Sequence, residues 1–538
     1  MRSSVSRSPG NLIVSHPRMA AFAAIRGFNI YMMYPIRLFI FVFFSIHCMI
    51  GFTQKSDYTW LLGYEPGGGF DPDSNIGFSH IQFDEGIPQS YYLNGSGSML
   101  LTNASISHPE TGELLAYTDG CRIFNKKFEQ MTNGDSINFG KTWSQYCTNF
   151  FGVTYYPSIN TALFLPRPGD PDEVFLIHAK DTITKQSTYW MDKIYASTIS
   201  FKTSLNGLVK KKNELIFTGQ IKECEMHAVK HQNGIDWWLF FPQYQTNAYF
   251  KFLVQADSIL LHDTQAIGPI VPFGGGTVLK FSPDGTKLAR FSREQGILLW
   301  DFDRETGLLS NTRQWLIPDS THTFIACGEF SPDSRFIYID NTWHLWQVDT
   351  WAPDLQDGAT LIADYDGFLW KDFFSTGFQF LNIGPDCKIY MSTDGTTPFL
   401  HVIHHPNLPG IACGFEQRGV KLPATNGKCL PNMVNYRLDT GPVCDSTLST
   451  SIFLPVQAEV RLLEVRPNPA RGQFQVTLPD FGSGGTFTVI DIAGREVVRL
   501  PWTGGAAHVD CSGWTPGLYF LNLYDPQGRY ASGQVMVE

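Results

Sequence analysis

Residues 1–56 contain no Asp or Glu, and Arg2, Arg7, Arg18, Arg26 and Arg37 carry most of the charge there. Charged residues of both signs make up only 17% of the chain, which is low for a cytosolic globular protein. The formal net charge is −10, and no dense basic run occurs after residue 60, which excludes a phosphate backbone as partner. No apolar run is long enough to cross a bilayer. The longest, Leu38–Ile50, is broken only by Ser45 and His47. As a helix it would reach roughly 20 Å at 1.5 Å per residue, against a hydrocarbon core of about 30 Å. The chain also lacks CxxC, G-x-S-x-G, H-E-x-x-H and P-loop motifs, so no zinc, redox, nucleophile-elbow or nucleotide site is written locally. Catalytic side chains can be drawn together from distant parts of a chain, so missing motifs weigh little against catalysis.

A short apolar run behind Arg37 has the form of a signal-peptide core, with Gly51 and Thr53 suited to cleavage near Thr53–Gln54. Residues 1–53 are therefore read as a leader with its apolar core at 38–50, leaving no transmembrane segment in the mature chain. A membrane anchor reaching back through Ile30–Tyr34 is disfavoured, because it would bury Arg37 at about 2.5–3.5 kcal/mol. Met32 or Met33 is a plausible true start, and His47 argues against lipidation at Cys48. Nine cysteines follow the cleavage point, in an exported setting that permits disulfides. Cys121–Cys147 and Cys413–Cys429 are the expected pairs, and an odd count leaves at least one thiol free.

What the chain has in plenty is aromatic strand material: 42 Phe, with 49 Gly and 32 Pro as punctuation. That mixture favours an all-β chain. Phe281-Ser282-Pro283-Asp284-Gly285 opens a turn, because Pro283 pre-sets φ, Asp284 caps, and Gly285 tolerates a left-handed backbone. Strand, turn and strand follow, ending in Leu299-Trp300-Asp301. The same order recurs from Phe330-Ser331-Pro332-Asp333 and from Ile383-Gly384-Pro385-Asp386. These prolines stand roughly 50 residues apart, the period of a propeller blade. Looser copies begin at Pro109–Gly112, Pro166–Asp172 and Asn233-Gly234, giving six repeats between about 99 and 405. Pairing of 58–66 with 433–438 is expected to close a seventh blade, six blades being the alternative. The fold class is thus an all-β propeller over 54–440. Residues 441–461, rich in Ser and Thr, form a linker, and a small Ig-like β-sandwich spans 462–538. In the sandwich, Phe474, Val476 and Leu478 share one strand face.

The Leu-Trp-Asp ending resembles the last strand of WD-repeat blades, although their Gly-His dipeptide is absent. Leu115–Gly120, Asp236–Leu239, the Pro-Asp corners and Pro406–Gly410 together resemble the repeat region of type IX secretion cargo. The C-terminal module is similar to the type A sorting domain of such cargo. It carries Val465-Arg466-Pro467-Asn468-Pro469-Ala470-Arg471-Gly472, then Val489-Ile490-Asp491-Ile492-Ala493-Gly494-Arg495, then Gly517-Leu518-Tyr519. The resemblance implies handling by the type IX machinery and removal by a sortase-like peptidase. Attachment to surface lipopolysaccharide, or release, would follow. The chain ends in Glu538 where such domains commonly end in a basic residue, which bears on processing.

Candidate chemistry is sparse. His401, His404 and His405 invite a zinc reading, but strand alternation sends His401 and His404 to opposite faces, so strand-end and turn roles are preferred. Asp71, Asp73 and Asn75 have calcium-loop spacing, but Ile76 and Gln82 stand where an EF-hand needs Gly and Glu. A solvated loop is preferred there, with calcium as the one open cofactor. Asp119 reads as a turn residue rather than a general acid, and Asp284, Asp333 and Asp386 as turn formers. Trp237 and Trp238 face opposite ways, one at least into the core. The preferred function is an exported binding or adhesion module for a surface glycan or peptide. The alternatives are an extracellular hydrolase or lyase on glycan or peptide, and a structural surface-layer component. Converging carboxylates at a channel mouth would favour the enzyme, and a filled channel would favour binding or structure.

Overall fold

The computed structural model describes residues 54–66, 76–83, 88–148, 153–183, 189–222, 225–272, 278–318, 326–441, 444, 461–478, 485–491, 496–524 and 530–538. Among these residues, seven antiparallel sheets of three or four strands follow one another from 59 to 426. Blade 1 is Thr59–Gly63, Phe78–Gln82 and Gln89–Leu93, and blade 2 is Ala104–Ser107, Leu114–Thr118 and Ile123–Asn125. Blade 3 runs from Ala162 to Ile221, blade 4 from His227 to Ala266, and blade 5 from Val278 to Trp315. Blade 6 runs from Cys327 to Asp364 and blade 7 from Phe378 to Asn426. The first strand of each blade is almost wholly buried, as in Val278–Phe281 and Cys327–Phe330, whereas last strands such as Ile259–Ala266 lie open. First strands therefore line the hub of a propeller.

Blade 1 is not built as the sequence suggested. Thr59–Gly63 pairs with Phe78–Gln82, and 433–438 forms no strand at all. The alternating apolar residues Val434, Tyr436 and Leu438 that mimic a strand are buried for another reason. They run along the propeller axis, where the surrounding blades bury them without pairing their backbone as a strand.

The Pro-Asp corners behave as their residues dictate. Asp284 Oδ1 accepts from the Ser282 hydroxyl at 2.6 Å and from Thr286 N–H at 2.9 Å. Asp333 repeats the arrangement with Ser331 and with Arg335 N–H at 3.1 Å. The next residue is left-handed each time, with φ of 70° at Gly285, 63° at Ser334 and 65° at Cys387. Corners also join neighbouring blades: Asp284 N–H donates to Ser334 Oγ at 3.0 Å, and Asp333 N–H to Asn407 Oδ1 at 3.1 Å. Trp237 and Trp238 do the same on a larger scale, because strand alternation sends them to opposite neighbours. Trp237 Nε1–H reaches Pro166 O of blade 3 at 3.1 Å, and Trp238 Nε1–H reaches Arg304 O after blade 5's third strand at 2.8 Å. Both indoles are buried with their polar atom satisfied.

Cys121 and Cys147 are bridged as expected. The second bridge is Cys387–Cys444, whereas Cys413 and Cys429 are free and buried. Strand Phe415–Asn426 lies between those two thiols, and its ends pair with Ile403 and Thr397 of the neighbouring strand, so at about 3.3 Å per residue over that paired span they lie roughly 20 Å apart. A bridge needs Cα atoms within about 7 Å.

The C-terminal strands form a separate β-structure from Arg461–Leu462 to Tyr530–Val537. Strand Glu464–Arg471 pairs with Gln473–Leu478 on one side and, through Ala470, with Val537 on the other, so it joins two sheets. Phe474, Val476 and Leu478 all face the core between them, with Phe487, Leu521 and Val535.

Gly296 turns blade 5 with φ of 64°, and a Cβ there would lie 2.0 Å from Trp315 O. Gly169, with φ of 73°, has open space around it. Gly296→Ala should therefore lower the thermal midpoint well beyond Gly169→Ala, whose cost is the backbone term of about 1 kcal/mol alone. Equal shifts in a paired melting experiment would contradict this reading of the turn.

Candidate functional site: the filled axis and its polar cavity

Residues 427–440, Gly-Lys-Cys-Leu-Pro-Asn-Met-Val-Asn-Tyr-Arg-Leu-Asp-Thr, leave the last strand of blade 7 and thread the hub. With no strand partner, the segment satisfies its polar groups on the blades around it. Asn432 N–H donates to Asn103 O at 2.7 Å ahead of blade 2, and Asn432 Nδ2 to Ala162 O of blade 3 at 3.0 Å. His227 of blade 4 bonds Met433 O at 3.1 Å, and Asn382 of blade 7 donates to Pro431 O at 2.6 Å. Asn435 Nδ2 reaches Pro283 O at the blade 5 corner at 2.7 Å, and Tyr436 OH reaches Phe164 O at 3.0 Å. Arg437 makes a two-pronged pair with Asp57, just before blade 1, one contact being 2.7 Å. Arg304 holds Asp439 at 2.9 Å where the segment leaves the hub. The bridge from Cys444 back to Cys387 of blade 7 then fixes the far end.

Beside this segment remains a cavity of about 60 Å³, lined by Asp57, His227, Lys280, Glu329, Asn382 and Arg437 among others. It has room for a few water molecules and none for a sugar ring or a peptide. Lys280, Glu329 and Asn382 each stand three residues ahead of a corner proline, at 283, 332 and 385, so the repeat brings them together. Lys280 Nζ lies 2.9 Å from Glu329 Oε2 and 2.7 Å from Asn382 Oδ1. Burial pushes the Glu329 and Asp57 carboxyls up, against the pull of Lys280 and Arg437 respectively. Burial, with help from Lys280, holds His227 down to about 3. A second buried pair, Arg290 with Glu225 at 2.7 Å, braces blade 5 against the entry to blade 4. Each of these carboxylates is matched by a cation, which suits a structural hub.

The residues singled out from sequence fall elsewhere. Asp71, Asp73 and Asn75 lie outside the described residues, as do Gly494 and Arg495. His401 is buried and its Nδ1 accepts Arg418 N–H at 3.1 Å, while His404 Nε2 contacts Glu416 at 2.8 Å. Asp119 is a buried turn residue whose Oδ1 accepts Cys121 and Arg122 N–H, both at 2.8 Å. Pro467 and Pro469 follow cis bonds, and Asn468 between them fastens the last strand. Its Nδ2 donates to Gln534 O at 2.9 Å, and its Oδ1 accepts Met536 N–H at 2.9 Å. Gly472 is left-handed at φ 79° and accepts Cys511 N–H at 2.8 Å. Gly517 opens a strand, buried Tyr519 donates to Thr515 O at 2.8 Å, and Asp491 ends the strand Gly485–Ile490. The terminal Glu538 side chain pairs with Arg471 at 2.7 Å. Sequence reading missed the hub charges, and the signal was the changing polar residue ahead of each corner: Lys280, Glu329, Asn382.

Arg437→Met should cost about 3–5 kcal/mol by leaving Asp57 buried and unpaired, and adding Asp57→Leu should recover much of it. Denaturant titration of the three proteins checks this, and an additive double variant would contradict it. His178, His227 and His401 are each held to about 3 by burial. The unfolded chain binds protons at these sites below its ordinary histidine value, and the folded chain does not. Their contribution is therefore complete above pH about 6.5 and is lost as pH falls toward 3, at roughly 1.4 kcal/mol per pH unit for each. Unfolding free energies at pH 7.5 and 5 test this; no fall at pH 5 would contradict it.

Among the described residues, no helix is long and apolar enough to cross a membrane, and no three His, Cys, Asp or Glu side chains converge as a metal set. Residues 464–538 match the family described as secretion system C-terminal sorting domain. A 116-residue stretch is 27% identical to the Drosophila melanogaster WD repeat-containing protein 26 homolog, covering 21% of this chain and 18% of that protein. The chain thus spans about a fifth of the curated relative it matches. Among solved structures, a Bacteroides uniformis protein described as a candidate 6-phosphogluconolactonase is 13% identical, with a TM-score of 0.39, covering 69% of this chain and 98% of that one. PorZ, a surface component of the type IX secretion system of Porphyromonas gingivalis, is 12% identical with a TM-score of 0.32, covering 86% and 63%. The C-terminal module is a type IX sorting domain, and the protein is cargo exported to the cell surface or beyond.

Proposed function

We propose that the exported propeller is a non-catalytic glycan-binding module, working through an aromatic hairpin on its rim. The observation that carries this reading is the insertion between blades 6 and 7, Leu369–Trp370 paired with Phe374–Ser375. Its tip residues Lys371 and Asp372 have φ of 52° and 57°, and Phe373 N–H returns to Trp370 O at 3.3 Å, a type I′ turn. Four of its residues, Leu369, Trp370, Phe373 and Phe374, and Phe368 just before it are large and apolar, and Phe373 is 78% exposed. Exposed clusters of this kind mark binding surfaces.

The platform is held in place before any ligand arrives. Arg418 pairs with Asp366, one contact being 3.0 Å, and its guanidinium lies 4.6 Å from the Phe368 ring centre. Thr376 Oγ1 donates to Phe368 O at 3.1 Å, and Gln417 Nε2 to Asp364 O at 2.8 Å. Aromatic faces beside an Arg–Asp pair suit a sugar, whose C–H faces stack and whose hydroxyls bond to charge. The closed axis supports binding over hydrolysis. The resemblance of the tail to type A sorting domains supports removal by a sortase-like peptidase and retention on surface lipopolysaccharide or release. The apolar run at 38–50 supports entry by a cleaved signal peptide.

A glycan array probed with residues 54–445, which keep the Cys387–Cys444 bridge, tests the reading. Phe373→Ala and Trp370→Ala should each weaken binding to any hit about tenfold or more while leaving the thermal midpoint unchanged. Undiminished binding by both variants would overturn the assignment to this hairpin.

A further inference from the structure

Three buried oxygen atoms at the base of blades 6 and 7 lack any hydrogen-bond donor: Asp340 Oδ2, Gln379 Oε1 and Asp394 Oδ1. Asp340 is fully buried and Gln379 nearly so. All three side chains gather around Thr342. Thr342 N–H donates to the other Asp340 oxygen at 3.1 Å, and Thr342 Oγ1 accepts Gln379 Nε2 at 3.1 Å. The glycine at 377 opens the space between: a Cβ there would stand 3.2 Å from Asp394 Oδ1 and 3.0 Å from Thr342 O. Asp394 N–H, moreover, bonds to Gly377 O at 2.9 Å.

The repeat shows what is missing. Thr118-Asp119-Gly120 and Thr393-Asp394-Gly395 are the same tripeptide at the same turn of two blades. In the first copy a cation is built in, since Arg122 lies 3.3 Å from Asp119 Oδ2. The position equivalent to Arg122 in the second copy is Thr397, which carries no charge. Two carboxylates and an amide oxygen, acceptors without a donor, would each cost about 1–3 kcal/mol if left bare. Hard divalent cations are held by such oxygens, with waters and carbonyls completing the shell, whereas zinc prefers nitrogen and sulfur.

We propose that Asp340, Asp394 and Gln379 form a site for a calcium-type cation, which does for blade 7 what Arg122 does for blade 2. This site is independent of the glycan reading, although it underlies Ser375–Gly377 at the foot of the aromatic hairpin. Burial, with Asp394 adding to it, drives the Asp340 carboxyl well above its usual range in the absence of a cation, so a shared proton is the competing occupant.

The test uses the full exported chain, treated with EDTA and returned to calcium chloride alone. Calcium should raise the thermal midpoint by about 3 °C or more at saturation. Asp394→Asn and, separately, Gln379→Met should abolish that rise; these two variants keep the experiment decisive should Asp340→Asn not fold. No rise in the unaltered chain, or a rise that survives both substitutions, overturns the proposal. A midpoint indifferent to calcium that climbs as pH is lowered, and stops climbing in Asp394→Asn, would assign the site to a proton instead.

Discussion

Everything in the propeller depends on what fills its axis. Seven wedge-shaped sheets meeting at a hub leave a channel lined by backbone edges and first-strand side chains, and an empty channel would strand those polar groups. Here residues 427–440 occupy it, and they do so with side chains rather than with a sheet. Asn432, Asn435 and Tyr436 supply donors to carbonyls of blades 3 and 5, while Asn382 and His227 reach back to the segment's own carbonyls. The ring is thus closed radially, through its centre, as well as around its circumference.

The hub charges follow from the same geometry. A cation at 280, an anion at 329 and an amide at 382 stand at one register of three consecutive blades, so the repeat that sets the turns also assembles a neutral polar triad. Such a set holds neighbouring blades in one arrangement but gains little net stability, because desolvation offsets the attraction. With the axis given over to structure, function moves to the rim, where loops and insertions escape the packing that fixes the hub. The hairpin at 369–375 lies in that outer territory, and the oxygen cluster lies buried beneath it.

The fold was legible where one residue type has one physical use. Pro283, Pro332 and Pro385 with their following Asp could only be turn formers, and they are; Trp237 and Trp238 had to face opposite ways, and each serves a different neighbour. The strands of the sandwich were readable because Phe474, Val476 and Leu478 alternate cleanly, and its sorting role because Val465–Gly472 and Val489–Arg495 resemble type A sorting domains. The axial segment was misread because Val434, Tyr436 and Leu438 alternate as a strand does, and alternation reports only that every second side chain is buried, not that the backbone is paired. Cys413–Cys429 was a guess from nearness along the chain; the strand between them keeps them far apart, and Cys387 meets Cys444 because the axial segment leads back to the blade 7 corner. The hub charges were on the page as the residue ahead of each corner, but a single Lys or Glu in a strand has no signature until the blades are set side by side.

The most direct measurement of the account is a comparison of two chains that begin at residue 54, one ending after residue 445 and the other after Asn426. The longer retains the axial segment and its bridge to Cys387, and should melt cooperatively as a folded propeller. The shorter keeps every strand of all seven blades but opens the hub, and should lose the cooperative transition and bind a hydrophobic dye. A shorter chain that melts as sharply and at the same temperature as the longer would show that the blades close without their filled axis.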